Sequence, residues 1–260
     1  MFNKAVKDCL VGLCKYELWI YLSWQEVRQR YRRSMLGPLW ITLSMAVFVS
    51  IIGPLYSRLF NQNLNDYLLG LSLGFVAWNY ISLTINDFSQ ALINSEKFIL
   101  QIKLPYSIYI YKTILRNLII FFHNLIVVIA VYFLFPAKDP GNWLFFVSGL
   151  IILSLNLVWI GIFISLICTR FRDLNQLLAN VIQISFFLTP IIWYPKALGT
   201  KSWILEYNIF YHFVELVRSP LVYPSAYLHH LQISFSILVA GTFFSLFFYN
   251  KYINRISYWI

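Results

Sequence analysis

Charge is what this chain has least of. Lys, Arg, Asp and Glu make up 12% of its 260 residues, about half the share a soluble domain carries. Acidic groups are the scarcer kind, 10 against 20 basic ones, and they form no paired carboxylates of the sort used in acid–base catalysis. A phosphate-cradling G-x-x-x-x-G-K-[ST] is missing, as is H-E-x-x-H. The chain therefore has neither that nucleotide-binding loop nor that zinc-protease motif. Its three cysteines, Cys9, Cys14 and Cys168, lack metal-ligand spacing and are expected as free thiols, with no metal site. The N-terminal CLVGLC is six residues between Lys7 and Lys15, too short for the apolar core of a signal peptide. Period-two alternation is absent from the apolar stretches, which excludes the strands of a membrane barrel.

What is there is apolar, 60% of all residues. The sparse charges cut the chain into silent runs at 34–57, 67–86, 117–137, 140–169, 174–195 and 219–250. Each is long enough for a helix to cross about 30 Å of hydrocarbon. The expected fold is an all-α membrane protein with six transmembrane helices. The last begins near Tyr227, because Pro220, Pro224, His229 and His230 interrupt its run. Basic residues set the orientation. With the N-terminus inside, 15 of the 20 flank cytoplasmic ends of the spans; the opposite orientation inverts that ratio. Both termini are thus expected in the cytoplasm. The net charge of +10 needs no nucleic-acid partner, since positive-inside bias and attraction to anionic membrane lipids account for it.

Residues 16–33 read as an amphipathic helix in the membrane interface, with Ile20, Trp24, Val27 and Tyr31 on one side and Glu17, Gln25, Arg28 and Arg32 elsewhere. On this reading residues 1–33 form a cytoplasmic segment and 34–260 the membrane domain. Span 1 carries Thr42, Ala46, Ser50, Gly53 and Ser57 within about 80° of arc, a small-residue face open to another helix or to a bulky substrate. Span 2 places Asn79, Ser82, Asn86 and Gln90 on one face with Asp87 beside them; polar groups at such depth face protein or water. Span 5 holds the clearest pattern. Gln176, Asn180, Gln183, Phe187 and Tyr194 fall within about 60° of arc on one helix. Amides can hydrogen-bond hydroxyls and aromatic faces can pack on pyranose rings, so this stripe suits a sugar chain; internal packing accounts for it equally well.

Thirteen residues organise the whole, Arg28 to Trp40, RQRYRRSMLGPLW. Arg28, Arg30, Arg32 and Arg33 precede a charge-free run of 24 residues, and Tyr31, Ser34, Leu36, Gly37 and Trp40 complete the pattern. This stretch resembles the membrane (permease) subunits of ABC-2 type polysaccharide exporters, which move O-antigen, capsular polysaccharide or teichoic acid chains. Ser95–Pro105, Arg170–Asp173, Thr189–Pro195 and Glu215–Leu221 are similar to the family in the same order. The resemblance implies a transport subunit, not an enzyme. It would export a lipid-linked polysaccharide such as O-antigen across the cytoplasmic (inner) membrane of a bacterium, in lipopolysaccharide or capsule biosynthesis. A homodimer with the pathway between its subunits is implied. So are two copies of an ATP-binding cassette subunit that holds the ATP and Mg, this chain having no cofactor of its own.

The helix faces and the resemblance together assign roles. The substrate pathway would take Gln176, Asn180, Gln183, Phe187, Tyr194, Asn79 and Asn86. Coupling to the ATPase would fall to Glu96, Phe98, Ile99 and Ile102, in a short amphipathic piece that stops before Pro105, and to Arg170, Arg172 and Asp173. Arg28, Arg30, Tyr31, Arg32, Arg33 and Trp40 would form the interfacial and gate motif. Between spans 5 and 6, residues 196–225 would form two short external gate helices, half-buried, although Tyr207-Asn208-Ile209 departs from the family's usual Asn-Pro. An ABC-2 type permease for a small lipid or drug is the alternative, and predicts apolar residues on the span 5 stripe. A lipid-linked glycosyltransferase would need acidic residues gathered in an aqueous loop, whereas Asp66, Asp139, Glu206 and Glu215 are scattered.

Overall fold

The computed structural model describes residues 3–32, 37, 39–135 and 141–260, and among these every regular element is helical. Helices α1 (Asn3–Cys14) and α2 (Tyr16–Arg30) precede the first long helix, α3 (Leu39–Leu59). After α4 (Leu64–Ala91) comes the six-residue α5 (Glu96–Gln101), then α6 (Ser107–Leu134) and α7 (Trp143–Arg170). Next follow α8 (Leu174–Leu188), α9 (Ile209–Val222), α10 (Tyr227–Tyr252) and the short α11 (Ile256–Trp259). Helices α3, α4, α6, α7 and the stretch Pro224–Trp259 containing α10 are long and apolar enough to cross a membrane. The chain is a multi-pass membrane protein. The turn expected at 136–142 lies largely outside the described residues.

The fifth expected span differs. Helix α8 has 15 residues, about 22 Å, and stops where a residue preceding proline is driven out of the helical region. Thr189, before Pro190, is extended at φ −95° and ψ 132°. Tyr194 is therefore not on α8, and the stripe keeps its helical geometry only from Gln176 to Phe187. Arg218 holds the break from the side by donating to the Pro190 carbonyl at 2.6 Å. The Tyr67 hydroxyl donates to the Ile192 carbonyl at 2.5 Å.

Helix α4 is the centre of the bundle, packed by α3, α6, α7, α8 and α9 and buried over most of its length. Apart from the exposed Ser50, the small face of α3 meets helices: Thr42 Oγ1 donates to the His123 carbonyl at 3.1 Å, and a Cβ on Gly53 would sit 2.2 Å from Leu68. The other side of α3, with Leu43, Val47, Ile51 and Leu55, is exposed. Asparagines start three helices: Asn63, Asn142 and Asn208 each accept from backbone N–H groups of the first turn. Helix α9 is not half-buried as expected. His212 to Leu221 are all buried, with Glu215 and Arg218 paired to each other inside the bundle. A Cβ on Gly149 would lie 2.0 Å from the Leu216 carbonyl oxygen, so only glycine lets α7 approach α9 this closely. In the preceding segment, Pro195–Tyr207, the described side chains are mostly exposed around the buried Leu205.

At the opposite end, α1 docks on α6 and α10. Asp8 accepts from the Tyr106 and Ser107 backbone N–H groups, each at 3.0 Å, and from the Tyr249 hydroxyl at 2.7 Å. Those N–H groups begin α6, which has no cap from its own N-terminal residues. Cys9, beside this carboxylate, is half-buried, and burial pushes its thiol up to about 12.

Candidate functional site

A groove of about 660 Å3 opens between α3, α4 and α6. Its floor follows from the polar positions of α4: Asn79, Ser82 and Asn86 recur at one helical face and line it together with Phe75. Helix α6 contributes Asn117 and Asn124, two turns apart, and α3 contributes Met45 and Phe48. Phe48 and Phe75 stack with ring centroids 4.0 Å apart. Arg30 and Tyr31, at the end of α2, close the groove towards the α1 end of the bundle. Asn79 and Asn86 were singled out from sequence. Asn117 and Asn124 were not, although their spacing of seven on an apolar helix carried the same signal as the α4 face.

A charged network braces that end. Glu26 of α2 meets Lys112 at 2.6 Å and Arg116 at 2.5 Å on α6. Arg116 also pairs with Asp87 of α4, which accepts from Asn117 Nδ2 at 2.8 Å. Burial pushes the Glu26 carboxyl up, but its ion pairs with Lys112 and Arg116 outweigh this and hold it below the usual carboxylate range. Ser23 Oγ donates to the Lys112 carbonyl at 2.9 Å. Helix α2 thus turns a polar strip, Ser23 and Glu26, to the bundle beside Val27, while Ile20 and Trp24 are exposed. The expected apolar stripe of α2 is split: only Val27 is buried, with Tyr31 partly so. Burial raises the Tyr31 hydroxyl above its ordinary value.

The amide stripe of α8 points outward from the subunit. Gln176, Asn180, Gln183 and Phe187 are exposed, Gln176 Nε2 reaching Asn180 Oδ1 at 3.4 Å. Tyr194 packs separately against Tyr67, ring centroids 5.8 Å apart. The stripe does not line the groove. On the other side of α8, Ile182 is buried, Leu178 is partly so, and Phe186 packs on Trp78 of α4.

In α5, Glu96, Phe98 and Leu100 are exposed, as is Ile102 just after it, whereas Ile99 packs on the core. Leu100 was missed from sequence because six residues give too little period to fix a face. Arg170 lies over the rings of Phe171 and Trp259, and Arg172 donates to the Ile260 carbonyl at 3.1 Å, so both hold the α11 end of the chain. Asp173 is exposed just before α8. Arg28 and Arg32 line a second groove with Trp24 and Gly37, and Trp40 is exposed. Arg33, Ser34 and Leu36 lie outside the described residues. No group of three His, Cys, Asp or Glu able to hold a metal occurs among the described residues.

Residues 17–222 match the sequence model of the ABC-2 type transporter family. Among curated proteins, the chain is similar to an O-antigen export system permease protein RfbA of Klebsiella pneumoniae, 23% identical over 74% of this chain and 75% of the relative. A second Klebsiella pneumoniae protein of that name is 22% identical over the same shares. The protein so named from Myxococcus xanthus is 26% identical over 68% of each chain. With the family match running from α2 through α9 of a bundle of long apolar helices, the chain belongs to the ABC-2 type transporter family.

Proposed function

We propose that this chain is the permease subunit of an ATP-driven exporter that moves a lipid-linked polysaccharide, such as O-antigen, out across the cytoplasmic membrane of a bacterium. One observation carries the reading: relatives named as O-antigen export permeases align with about three quarters of the chain. The family implies an ATP-binding cassette partner. Two copies of it, holding ATP and Mg, would act on a homodimer of this subunit. Helix α8 completes six crossings with the broken segment that follows it. Residues 1–33 lie at the cytoplasmic surface, 34–260 form the membrane domain, and both termini are inside. Segment Pro195–Tyr207 and α9 are the external gate elements.

The chemistry of the exposed and groove-lining groups supports a polyhydroxylated cargo over a small lipid or drug. Gln176, Asn180 and Gln183 hold an outward face that an apolar cargo would fill with apolar side chains, and Asn79 and Asn86 repeat this on α4. Phe98 and Leu100 on α5, with Ile102 just after it, form an apolar knob of the kind that seats in a cleft of the ATPase. Deleting the chain in its own host tests the reading. Cells should retain undecorated surfaces while polymer accumulates in the cytoplasm, and the restored chain should reverse both. Surface polymer at the parental level in the deletion would overturn the proposal.

A further inference from the structure

Two buried hydrogen-bond acceptors in the wall of the α3–α4–α6 groove have no partner among the described residues. Asn117 and Asn124 are 1% and 2% exposed, both line the groove, and neither Oδ1 has a hydrogen-bond partner among the described residues. The orientation of Asn117 follows from chemistry. Its Nδ2 donates to Asp87, a carboxylate can only accept, and a flipped amide would set two acceptors together. The Asn117 carbonyl oxygen therefore belongs on the side away from Asp87. Buried acceptors are nearly always paired, so each exception asks for an explanation.

The candidate occupants differ in how they answer it. An acyl chain would match Phe48 and Phe75 but leave both oxygens unpaired in a dry site, which is costly. A metal or organic cation would need a free carboxylate, and Asp87 is engaged by Arg116 and Asn117. An anion would find Arg30 at the end of the groove but only acceptor oxygens along α6. A sugar ring satisfies both halves of the wall: its hydroxyls donate to the amide oxygens, and its C–H face packs on the stacked phenyl rings. The volume of about 660 Å3 lies in the range of small-molecule sites.

We propose that this groove is a glycan-binding subsite within each subunit, in which Asn117 and Asn124 accept hydrogen bonds from hydroxyls of the transported chain. It rests on the reading of the protein as a polysaccharide permease, and it adds a contact site on spans 1–3 that is separate from the α8 stripe. The two amide oxygens stand two helical turns apart on α6, about 10 Å, so the subsite grips successive positions along an extended chain.

The test uses the assembled exporter in cells that make its polymer. A diazirine amino acid replaces Ser82, which lines the groove, or Phe187 on α8, and illumination links whatever lies alongside. The subsite predicts polymer attached at position 82, with Asn124→Leu lowering the yield about fivefold, as expected for losing one hydrogen-bonding acceptor. Linkage at 187 should persist in that variant. If Asn124→Leu fails to accumulate, Asn79→Leu on the partly exposed α4 face is read in the same way. Polymer at 187 alone overturns the subsite and leaves the exporter reading intact. Phospholipid in place of polymer at 82 overturns it in favour of a lipid site. Polymer at neither position also overturns the subsite, and the exporter reading is then decided by the deletion phenotype.

Discussion

Ile182 and Phe187 stand on opposite sides of α8, and truncating each to alanine separates a packing role from a transport role. Ile182 is 4% exposed and Phe187 is 67% exposed. Ile182→Ala removes buried groups at the contact with α4 and α7. Such truncations cost about 2–5 kcal/mol in well-packed interiors. In a membrane the loss is of packing contacts without a water-transfer part, which places it at the lower end, about 2 kcal/mol. For a chain of this size that lowers the unfolding midpoint by roughly 4–8 °C. Phe187→Ala removes an exposed ring, and the hydrogen bond it makes, Trp193 Nε1 to its carbonyl at 3.1 Å, belongs to the backbone and survives. Its stability cost should stay within about 0.5 kcal/mol. Thermal unfolding of the purified subunit in detergent gives the first quantity, and surface polymer on intact cells the second. Phe187→Ala should keep its midpoint and lose export, while Ile182→Ala should lose its midpoint first. Equal falls in midpoint would mean that the stripe is buried by packing in the assembled protein, and the glycan path would then run elsewhere.

Three further outcomes follow from other parts of the bundle. Phe98→Asp with Leu100→Asp, both at exposed positions, should leave subunit yield unchanged and abolish ATP hydrolysis stimulated by the permease in the assembled transporter. Asp8→Ala removes the acceptor for two backbone N–H groups of α6 and the Tyr249 hydroxyl. It should cost about 1–3 kcal/mol and speed hydrogen exchange in the first turn of α6, with Asp8→Asn recovering part of the loss. The Glu26 carboxyl is held below its ordinary value, so its contribution is complete above the unfolded value of about 4.3 and fades as pH falls through the lower folded value. Glu26→Gln should therefore be less stable than the parent at neutral pH, with the gap closing in acid; a gap that widens in acid would contradict the ion-pair account.

The long helices were legible because charge is nearly excluded from lipid, so runs between charges map spans directly. That rule weakens where charges pair inside the protein. Glu215 and Arg218 count as polar in sequence, yet their mutual ion pair lets all of α9 from His212 to Leu221 go under. The rotation rule carried the α8 stripe past Pro190 to Tyr194, when the proline and the extended Thr189 end the helix six residues short. Asp8 stands between Lys7 and Lys15; its role as a cap for α6 depends on a contact across 98 residues of chain, which no local pattern encodes. The groove stands between these cases. Its α4 wall was visible as a polar face, its α6 wall of Asn117 and Asn124 went unread, and only the packing of α3 against both makes them one site.

The most direct measurement reconstitutes this subunit with its ATP-binding partner in proteoliposomes and follows ATP-dependent passage of the lipid-linked glycan into a compartment closed to a glycan-cleaving enzyme. Export by this chain predicts protected glycan that requires both subunits and ATP, and that falls to background with Phe187→Ala. Protected glycan formed without this subunit, or without ATP, would contradict it.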